Sequence, residues 1–239
     1  MSPGRLYGIG VGPGDPELIT LRGLRLLQAV PVVAFPAGRH GQPGFAERIV
    51  AHFLRPEQRR LPLDFPFVSE RAVLERAWRL AADRLATELG TGRDVAFLTE
   101  GDASFYSTFT YLLAEFQGRY PEIAVTVVPG VASPMAAAAA LQRPLVIGDE
   151  ALVVLPTMHR LAELDLAAAD GRTVVLLKVA PVWPQVHAWL SERSLLDRAF
   201  LVAWVSTDQE KIYSPPPPPE SPLPYFCLLV IVATGQARP

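Results

Sequence analysis

The chain has 239 residues, half of them apolar, and a net charge of −2, which allows one large domain or two smaller ones with a sizeable core. The balanced charge excludes the basic field typical of nucleic-acid-binding proteins, and the longest apolar runs, 135–141 and 227–233, are far shorter than the roughly 20 residues of a spanning helix. Because no secretion signal follows Met1, we expect a cytoplasmic protein that binds neither nucleic acid nor membrane.

In the first half of the chain, short apolar runs alternate with helical stretches. This alternation is typical of successive strand–helix units that build a parallel sheet. Ser69 is the predicted N-cap of the longest helix, and Gly90 is expected just past its end. We predict strands at 6–12, 31–35, 93–102 and 123–131, and helices at 21–30, 44–54, 69–89 and 105–116.

The second half continues the alternation, but no helix long enough for a crossover separates its last three strands. We therefore expect those strands to be partly antiparallel. The fold class is α/β, with two domains at 1–131 and 132–239, the first built on a parallel sheet and the second on a mixed sheet. Predicted strands of the second domain are 151–156, 172–180, 199–206, 210–213 and 225–233, with a helix at 181–193.

Cysteine and histidine usage gives little sign of metal chemistry. The single cysteine, Cys227, can form no internal disulfide and cannot hold a metal alone. Its apolar surroundings in the sequence predict a small buried hydrophobe rather than a reactive thiol. No His, Cys and Asp residues have the spacing of metal ligands, so we predict no metal site.

The first glycine-rich loop, GIGVGPGDPE at 8–17, does not fit a phosphate-binding motif. A dinucleotide fingerprint needs glycine at its sixth position, where the two possible frames place Pro13 or Asp15. No Gly-Lys-Ser/Thr of a P-loop follows, and the acidic Asp15 and Glu17 would repel an anion. The loop is expected either to accept a neutral or cationic ligand or simply to make a tight turn, in which Asp15 caps the next segment.

Two further strands end in similar glycine turns, FLTEGDASFYSTF at 97–109 and VVPGVASPMAAAAA at 127–140. We expect Asp102 to cap the helix that follows, to accept hydrogen bonds from a ligand, or both, and Ser133 to cap a helix of small residues. Since the carboxyl ends of parallel strands share one edge of a sheet, the three loops are predicted to converge there on a ligand site.

Four segments, in this order and spacing, resemble the tetrapyrrole (corrin/porphyrin) methylase family over about residues 6–233. The resemblance implies two α/β domains with S-adenosylmethionine (SAM) folded in the cleft between them, a homodimer, and a tetrapyrrole substrate. The segments are GVGPGDPELITLRGLRLL, TEGDASFYSTFTYL, VVPGVASPMAAAAAL and VSTDQEKI.

Within that family, the segments 147–167 and FYSTFTYL resemble the precorrin-2 C-20 methyltransferase branch. This implies a SAM-dependent methyltransferase of cobalamin biosynthesis that methylates carbon 20 of precorrin-2 or of cobalt-factor II. The acid that uroporphyrinogen-III methylases carry after the second strand is missing from 34–40, and Ala103 replaces the family's usual proline after Asp102. A branch that methylates another precorrin carbon and a SAM-binding protein without catalysis both remain open, whereas the acidic pI disfavours the family's RNA methylases.

The resemblance also implies which residues meet the ligands. Ser107 and Thr108 are either polar cleft residues or ordinary helix positions, and Arg39 and His40 are candidates for the substrate's carboxylates or part of a solvated loop. No catalytic residue is assigned, because the sulfonium and an electron-rich meso carbon are both already activated and the protein's main task is alignment. The implied SAM contacts are Pro13, Glu100, Gly101, Asp102, Phe105, Ala132, Ser133 and Leu177.

Overall fold

The computed structural model describes residues 2–38, 43–66, 68, 70–157 and 161–233. The chain divides into two compact units, residues 1–132 and 133–239. Three residues singled out from the sequence, Arg39, His40 and Ser69, lie outside the described residues.

The first unit is built on a five-stranded sheet in which all strands are parallel, as predicted. Its strand order is β3-β2-β4-β1-β5, so β4 is the central strand and β1 lies between β4 and β5. The three strands that precede the predicted ligand loops are therefore neighbours. The strands are β1 (Leu6–Gly10), β2 (Val32–Pro36), β3 (Arg59–Leu63), β4 (Val95–Thr99) and β5 (Val125–Val128).

The edge strand β3 was not predicted from the sequence. Its segment RRLPL has two arginines and a proline, which argue against a buried strand. At the edge of a sheet, however, alternate residues face solvent and a proline is tolerated. Only Leu61 and Leu63 of this strand are buried, and this spacing of two residues is the one signal that could have identified it.

Helices cover both faces of the first sheet. On one face Leu27 and Ile49, from the first two helices, pack with Ile9 of the sheet. On the other face Leu85 and Leu112, from the next two helices, pack with buried residues of the same sheet. Each face thus has its own hydrophobic core, and the carboxyl edge of the sheet is left for the loops. The helices are α1 (Leu21–Ala29), α2 (Phe45–Val50), α3 (Arg71–Gly90) and α4 (Phe109–Arg119).

The second unit has a mixed sheet of order β6-β7-β10-β8-β9. Among the described strands, β6 and β7 pair in parallel and the other pairs are antiparallel, which confirms the expectation for the last three strands. The elements are β6 (Leu152–Leu155), β7 (Thr173–Leu177), β8 (Ala199–Ala203), β9 (Lys211–Tyr213) and β10 (Cys227–Ile231), with α5 (Ser133–Ala140), α6 (Leu161–Ala168) and α7 (Trp183–Glu192).

The core of the second unit lies between its sheet and the two helices α6 and α7. Leu164, Trp183 and Leu190 from these helices pack with Leu229 of the sheet. Cys227 belongs to the same cluster and is 6% exposed, so the prediction of a buried hydrophobe is confirmed. None of the helices in the described ranges combines the length and the apolar character needed to span a bilayer.

Candidate functional site

At the carboxyl edge of the first sheet, the loops after β1 and β4 are joined by their backbones. The Gly12 amide donates to the Gly101 carbonyl at 3.2 Å, and the Gly101 amide donates to the Gly12 carbonyl at 2.7 Å. This pair forms an isolated antiparallel bridge. Both glycines have positive φ, 85° and 68°, a conformation that other residues rarely adopt.

The loop after β5 closes on the same point. A Cβ atom on Gly130 would lie 2.3 Å from the Gly101 carbonyl oxygen, and one on Gly10 would lie 2.8 Å from the Gly130 nitrogen. Any side chain at these positions would overlap the neighbouring backbone. We call Gly10, Gly12, Gly101 and Gly130 the glycine junction, where the three loops pack backbone against backbone with Gly10 and Gly12 buried and Gly101 and Gly130 partly exposed.

The Asp102 carboxylate connects the second and third of these loops. Its Oδ1 accepts hydrogen bonds from the Ser104 amide at 2.8 Å and the Ser104 hydroxyl at 2.7 Å, and its Oδ2 accepts one from the Gly130 amide at 2.8 Å. Burial raises the pKa of Asp102, but the hydrogen bonds from Ser104, Gly130 and Phe105 outweigh it, so the pKa lies below its usual value. The carboxylate is ionised and held within the protein.

This geometry corrects the expectation that Asp102 caps the next helix. That helix was predicted from residue 105, but α4 begins at Phe109, with Thr108 in the N-cap position. Residues 100–108 form a loop whose turns are stabilised by side chains, which a helical pattern does not reveal. Whether Asp102 also accepts a hydrogen bond from a ligand stays a prediction.

A buried pair of hydroxyl groups closes the base of this loop. Thr99 Oγ1 and Ser107 Oγ lie 2.8 Å apart, and both residues are buried. Ser107 Oγ also accepts a hydrogen bond from the Phe109 amide at 3.1 Å. Ser107 is therefore neither an ordinary helix position nor an exposed cleft residue, because its hydroxyl fixes the loop where α4 begins.

The outer part of the same loop presents large side chains. Glu100, Phe105 and Tyr106 are exposed, and the rings of Phe105 and Tyr106 meet edge to face with centroids 4.7 Å apart. Phe105 is 36% exposed and Tyr106 is 51% exposed. Tyr106 also has a φ of 51°, which is unusual for a bulky residue.

The loop after β1 forms as predicted from its acidic turn. The Asp15 carboxylate accepts a hydrogen bond from the Glu17 amide at 2.8 Å and caps the short 3-10 helix Pro16–Leu18. Pro13 is buried beside Gly12 of the glycine junction. The acidic turn thus supports the loop and places two carboxylates near its surface, which suits a cationic ligand better than an anionic one.

Six of the eight predicted SAM contacts lie at the loops of the first unit. A Cβ on Gly101 would be 3.9 Å from the Ala132 Cα, so the end of this unit passes beside the glycine junction. Ser133 and Leu177 belong to the second unit, where Ser133 is the first residue of α5 and Leu177 is the last of β7. The six are Pro13, Glu100, Gly101, Asp102, Phe105 and Ala132.

The edge of the second sheet that contains Leu177 carries features that the sequence reading missed. Lys178 and Trp204, which follow β7 and β8, both have positive φ, 53° and 52°. Because β10 runs antiparallel to both strands, the residues before it lie at the same edge. There Trp204 packs on Phe226 with ring centroids 5.1 Å apart, and Lys178 Nζ lies 6.0 Å from the centre of the Tyr225 ring.

The positive φ values at Lys178 and Trp204 could not be predicted from the sequence, because the residue types around them favour extended strands.

In the part of the chain that the structure describes, no group of three or more His, Cys, Asp or Glu residues could hold a metal ion. The candidates Arg39 and His40 for substrate carboxylates lie in the undescribed segment 39–42 and stay predictions.

Comparison with known proteins identifies related sequences. The model of the family described as tetrapyrrole (corrin/porphyrin) methylases matches residues 5–216. The precorrin-2 C(20)-methyltransferase of Sinorhizobium is 32% identical, and the match covers 99% of this chain and 98% of that protein. The cobalt-precorrin-2 C(20)-methyltransferase of Salmonella typhimurium is also 32% identical, and the match covers 95% of this chain and 96% of that protein. The cobalamin biosynthesis protein CobIJ of Mycobacterium tuberculosis is 36% identical over 95% of this chain. The chain spans about half, 46%, of the length of that mycobacterial relative.

Solved structures show the same fold at lower identity. The cobalt precorrin-4 methyltransferase CbiF has a TM-score of 0.72 at 20% identity, covering 95% of this chain and 94% of that one. The uroporphyrin-III C-methyl transferase of Thermus thermophilus, in complex with S-adenosylhomocysteine, has a TM-score of 0.67 at 22% identity, covering 96% and 92%. The predicted fold class, a parallel sheet followed by a mixed sheet, is confirmed.

Proposed function

Because the chain belongs to the tetrapyrrole (corrin/porphyrin) methylases, we propose that it transfers a methyl group from SAM to carbon 20 of precorrin-2 or of its cobalt complex, in cobalamin biosynthesis. The observation that carries this proposal is similarity over nearly the whole chain, at 32% identity, to two C(20)-methyltransferases. The segment FYSTFTYL, on which the sequence resemblance to that branch rests, forms the outer loop of the candidate site and the start of α4.

The glycine junction supports the proposed SAM site. Its glycines let the loops pack backbone against backbone, because a Cβ atom on Gly10 or Gly130 would overlap the neighbouring loop. The partly exposed Gly101 and Gly130 leave main-chain groups that a ligand can approach closely. The charges nearby are acidic, from Asp15 and Glu17 in the first loop and the exposed Glu100 in the second. SAM carries a cationic sulfonium, so this arrangement fits SAM better than it fits a nucleotide polyphosphate.

We propose that the SAM contacts are those implied by the resemblance. Two of them, Gly101 and Ala132, can contribute little besides backbone groups, which agrees with a site built on main-chain hydrogen bonds. Ser133 and Leu177 are proposed contacts from the second unit. The full set is Pro13, Glu100, Gly101, Asp102, Phe105, Ala132, Ser133 and Leu177.

When bound, SAM would supply an activated methyl group for the electron-rich meso carbon of a reduced tetrapyrrole, with S-adenosylhomocysteine as the leaving group and the loss of one proton from that carbon. The residues of this chain then have the task of holding the two reactants at attack distance and in line. Orientation of this kind can lower a barrier by roughly 7 to 11 kcal/mol in favourable cases. The hydrogen bonds of Asp102 and of the Thr99–Ser107 pair hold these loops in a defined arrangement, which suits them to that task.

The cytoplasmic location and the homodimer also belong to this proposal and rest on the family. Sedimentation of the purified protein at several concentrations would test the dimer. Two copies per particle at micromolar protein are expected, and a monomer at every concentration would contradict it.

The proposed activity is tested by anaerobic incubation of the purified chain with SAM and precorrin-2, with mass spectrometry of the tetrapyrrole. A mass increase of one methyl group is expected. Titration with S-adenosylhomocysteine in a calorimeter separates two kinds of failure. Binding without transfer to any reduced tetrapyrrole would favour a SAM-binding protein without catalysis, and the absence of both would reject the function altogether.

A further inference from the structure

Two buried hydroxyl groups stand at the two ends of the loop 100–106. Thr99 is the last residue of β4, and Ser107 lies two residues before the start of α4. Their hydroxyl oxygens are 2.8 Å apart, and the two residues are only 3% and 6% exposed. The loop between them carries four of the eight proposed SAM contacts, Glu100, Gly101, Asp102 and Phe105.

Both ends of this loop are attached to the sheet of the first unit. The backbone carbonyl of Thr99 accepts a hydrogen bond from the Val11 amide at 3.0 Å, which also holds the loop after β1. At the other end, Ser107 Oγ accepts a hydrogen bond from the Phe109 amide at 3.1 Å. A Cβ atom on Gly8 would lie 2.1 Å from the Phe109 ring, so the start of α4 packs directly on β1. The hydroxyl pair therefore sets the distance between two anchored points.

The direction of the hydrogen bonds follows from the donors and acceptors present. A hydroxyl group has one hydrogen to donate and can accept two. Thr99 Oγ1 lies 3.5 Å from the Glu100 carbonyl oxygen, so donation from Ser107 to Thr99 and from Thr99 to Glu100 gives each hydrogen an acceptor. In the opposite direction, the hydrogen of Ser107 would have no acceptor among the described residues. The result is a chain of hydrogen bonds from the Phe109 amide to the Glu100 carbonyl.

We propose that Thr99 and Ser107 are a positioning pair for SAM, which acts through Glu100 and Phe105 of the enclosed loop. This inference rests on the proposed function. Two buried hydroxyl groups that bond to each other contribute little more to folding than an apolar pair of the same shape. A fully satisfied buried polar network, in contrast, favours one conformation over its alternatives. The pair therefore determines the shape of the loop more than the stability of the fold.

Two substitutions of Thr99 separate the hydroxyl group from the packing. Thr99→Val keeps the β-branched shape that suits a strand and breaks the chain of hydrogen bonds. It should raise the Kd for S-adenosylhomocysteine, measured by calorimetry, about fivefold or more, the scale of one lost hydrogen bond. Thr99→Ser keeps the hydroxyl group and removes a buried methyl group, so the Tm should fall while the Kd rises by less than about twofold. The KM for SAM should follow the same order.

Thr173→Val is the matched control. Thr173 is fully buried at the start of β7, at the opposite end of that strand from Leu177. Its hydroxyl oxygen accepts a hydrogen bond from the Ala233 amide at 3.0 Å. The same replacement of threonine by valine should lower the Tm here, because a buried amide loses its acceptor, and should leave the Kd for S-adenosylhomocysteine unchanged.

Three outcomes would overturn the proposal. An unchanged Kd in Thr99→Val, with a lowered Tm as in the control, would show that the hydroxyl pair supports only the fold. Equal weakening in Thr99→Val and Thr99→Ser would attribute the effect to packing. A Kd that rises in Thr173→Val as well would attribute it to a general loss of stability.

Failure of the proposed function is distinguished by the wild type. If the wild type binds S-adenosylhomocysteine but transfers no methyl group, the proposed reaction fails separately, and the comparison of Kd values still decides the role of the pair. If the wild type transfers a methyl group and Thr99→Val binds as tightly as the wild type, only the positioning role is rejected. If the wild type does not bind S-adenosylhomocysteine, the SAM site and its positioning pair are rejected together.

Discussion

The carboxylate of Asp102 and the backbone amide of Gly130 lie 2.8 Å apart, and this hydrogen bond ties the loop after β4 to the loop after β5. The two residues are 28 positions apart in the sequence. Between them the Gly101 carbonyl packs against Gly130 so closely that no Cβ atom fits. The candidate site is thus held together by one ionised side chain and a set of glycines, and both can be tested separately.

Replacement of Asp102 by alanine should loosen this connection. The change removes the acceptor for the amides of Gly130 and Ser104, and a partly buried donor left without a partner costs about 1–3 kcal/mol. We expect the free energy of unfolding to fall by about that amount and binding of S-adenosylhomocysteine to weaken, as measured by urea denaturation and calorimetry. Asp102→Asn keeps one acceptor oxygen and should lose less of both. Full ligand affinity in the alanine variant would show that the connection does not support the site.

The same carboxylate should give a pH dependence of defined sign. Hydrogen bonds hold the pKa of Asp102 below its usual value despite the opposing effect of burial, and the unfolded value is about 3.9. A lowered folded-state pKa adds stability that is complete above the unfolded value and is lost as the pH falls through the folded value. The difference in unfolding free energy between the wild type and Asp102→Asn should be constant from about pH 7 to 5 and shrink below about pH 4. A difference that stays constant to the acid limit of folding would contradict the assignment.

The glycine junction predicts opposite effects for two glycine-to-alanine substitutions. In Gly130→Ala the new Cβ would meet the Gly101 oxygen at 2.3 Å and the Gly10 backbone at 2.7 Å, so the loops must separate, and both stability and ligand affinity should fall. Gly118 lies on the exposed side of α4 with no atom within 4 Å of an added Cβ. Gly118→Ala should therefore stabilise the protein by about 0.5–1 kcal/mol and leave ligand binding unchanged. Equal tolerance of the two substitutions would contradict the close packing of the loops.

Cys227 should be chemically inert in the folded protein. Burial raises the pKa of its thiol to about 11, and the reactive thiolate is then scarce at neutral pH. A thiol reagent such as Ellman's should leave the native protein unmodified at pH 7.5 and modify one thiol per chain in denaturant. Rapid modification without unfolding would contradict the burial of this residue.

The sequence predicted those features of the fold that depend on local pattern. Apolar runs alternating with helices identified both sheets, and the residue types around Asp15 identified its cap. The Asp102–Gly130 bond was not predictable, because it joins residues distant in the chain whose partners are set by strand order. The start of α4 was placed too early because the sequence FYSTF continues a helical pattern, while the hydrogen bonds of Thr99, Asp102 and Ser107 favour a loop. The left-handed Tyr106 has no signal in its residue type, since that conformation normally predicts glycine or asparagine.

The central claim, methylation at carbon 20, is tested most directly with methyl-labelled SAM. The purified chain is incubated anaerobically with metal-free precorrin-2 and, in parallel, with cobalt-factor II, and the labelled carbon of each product is located by NMR. We predict label at carbon 20 of at least one of the two, and label on only one identifies the natural substrate. Label at another ring carbon would keep the family and contradict the position, and no label on either, with S-adenosylhomocysteine still bound, would contradict the choice of methyl acceptor.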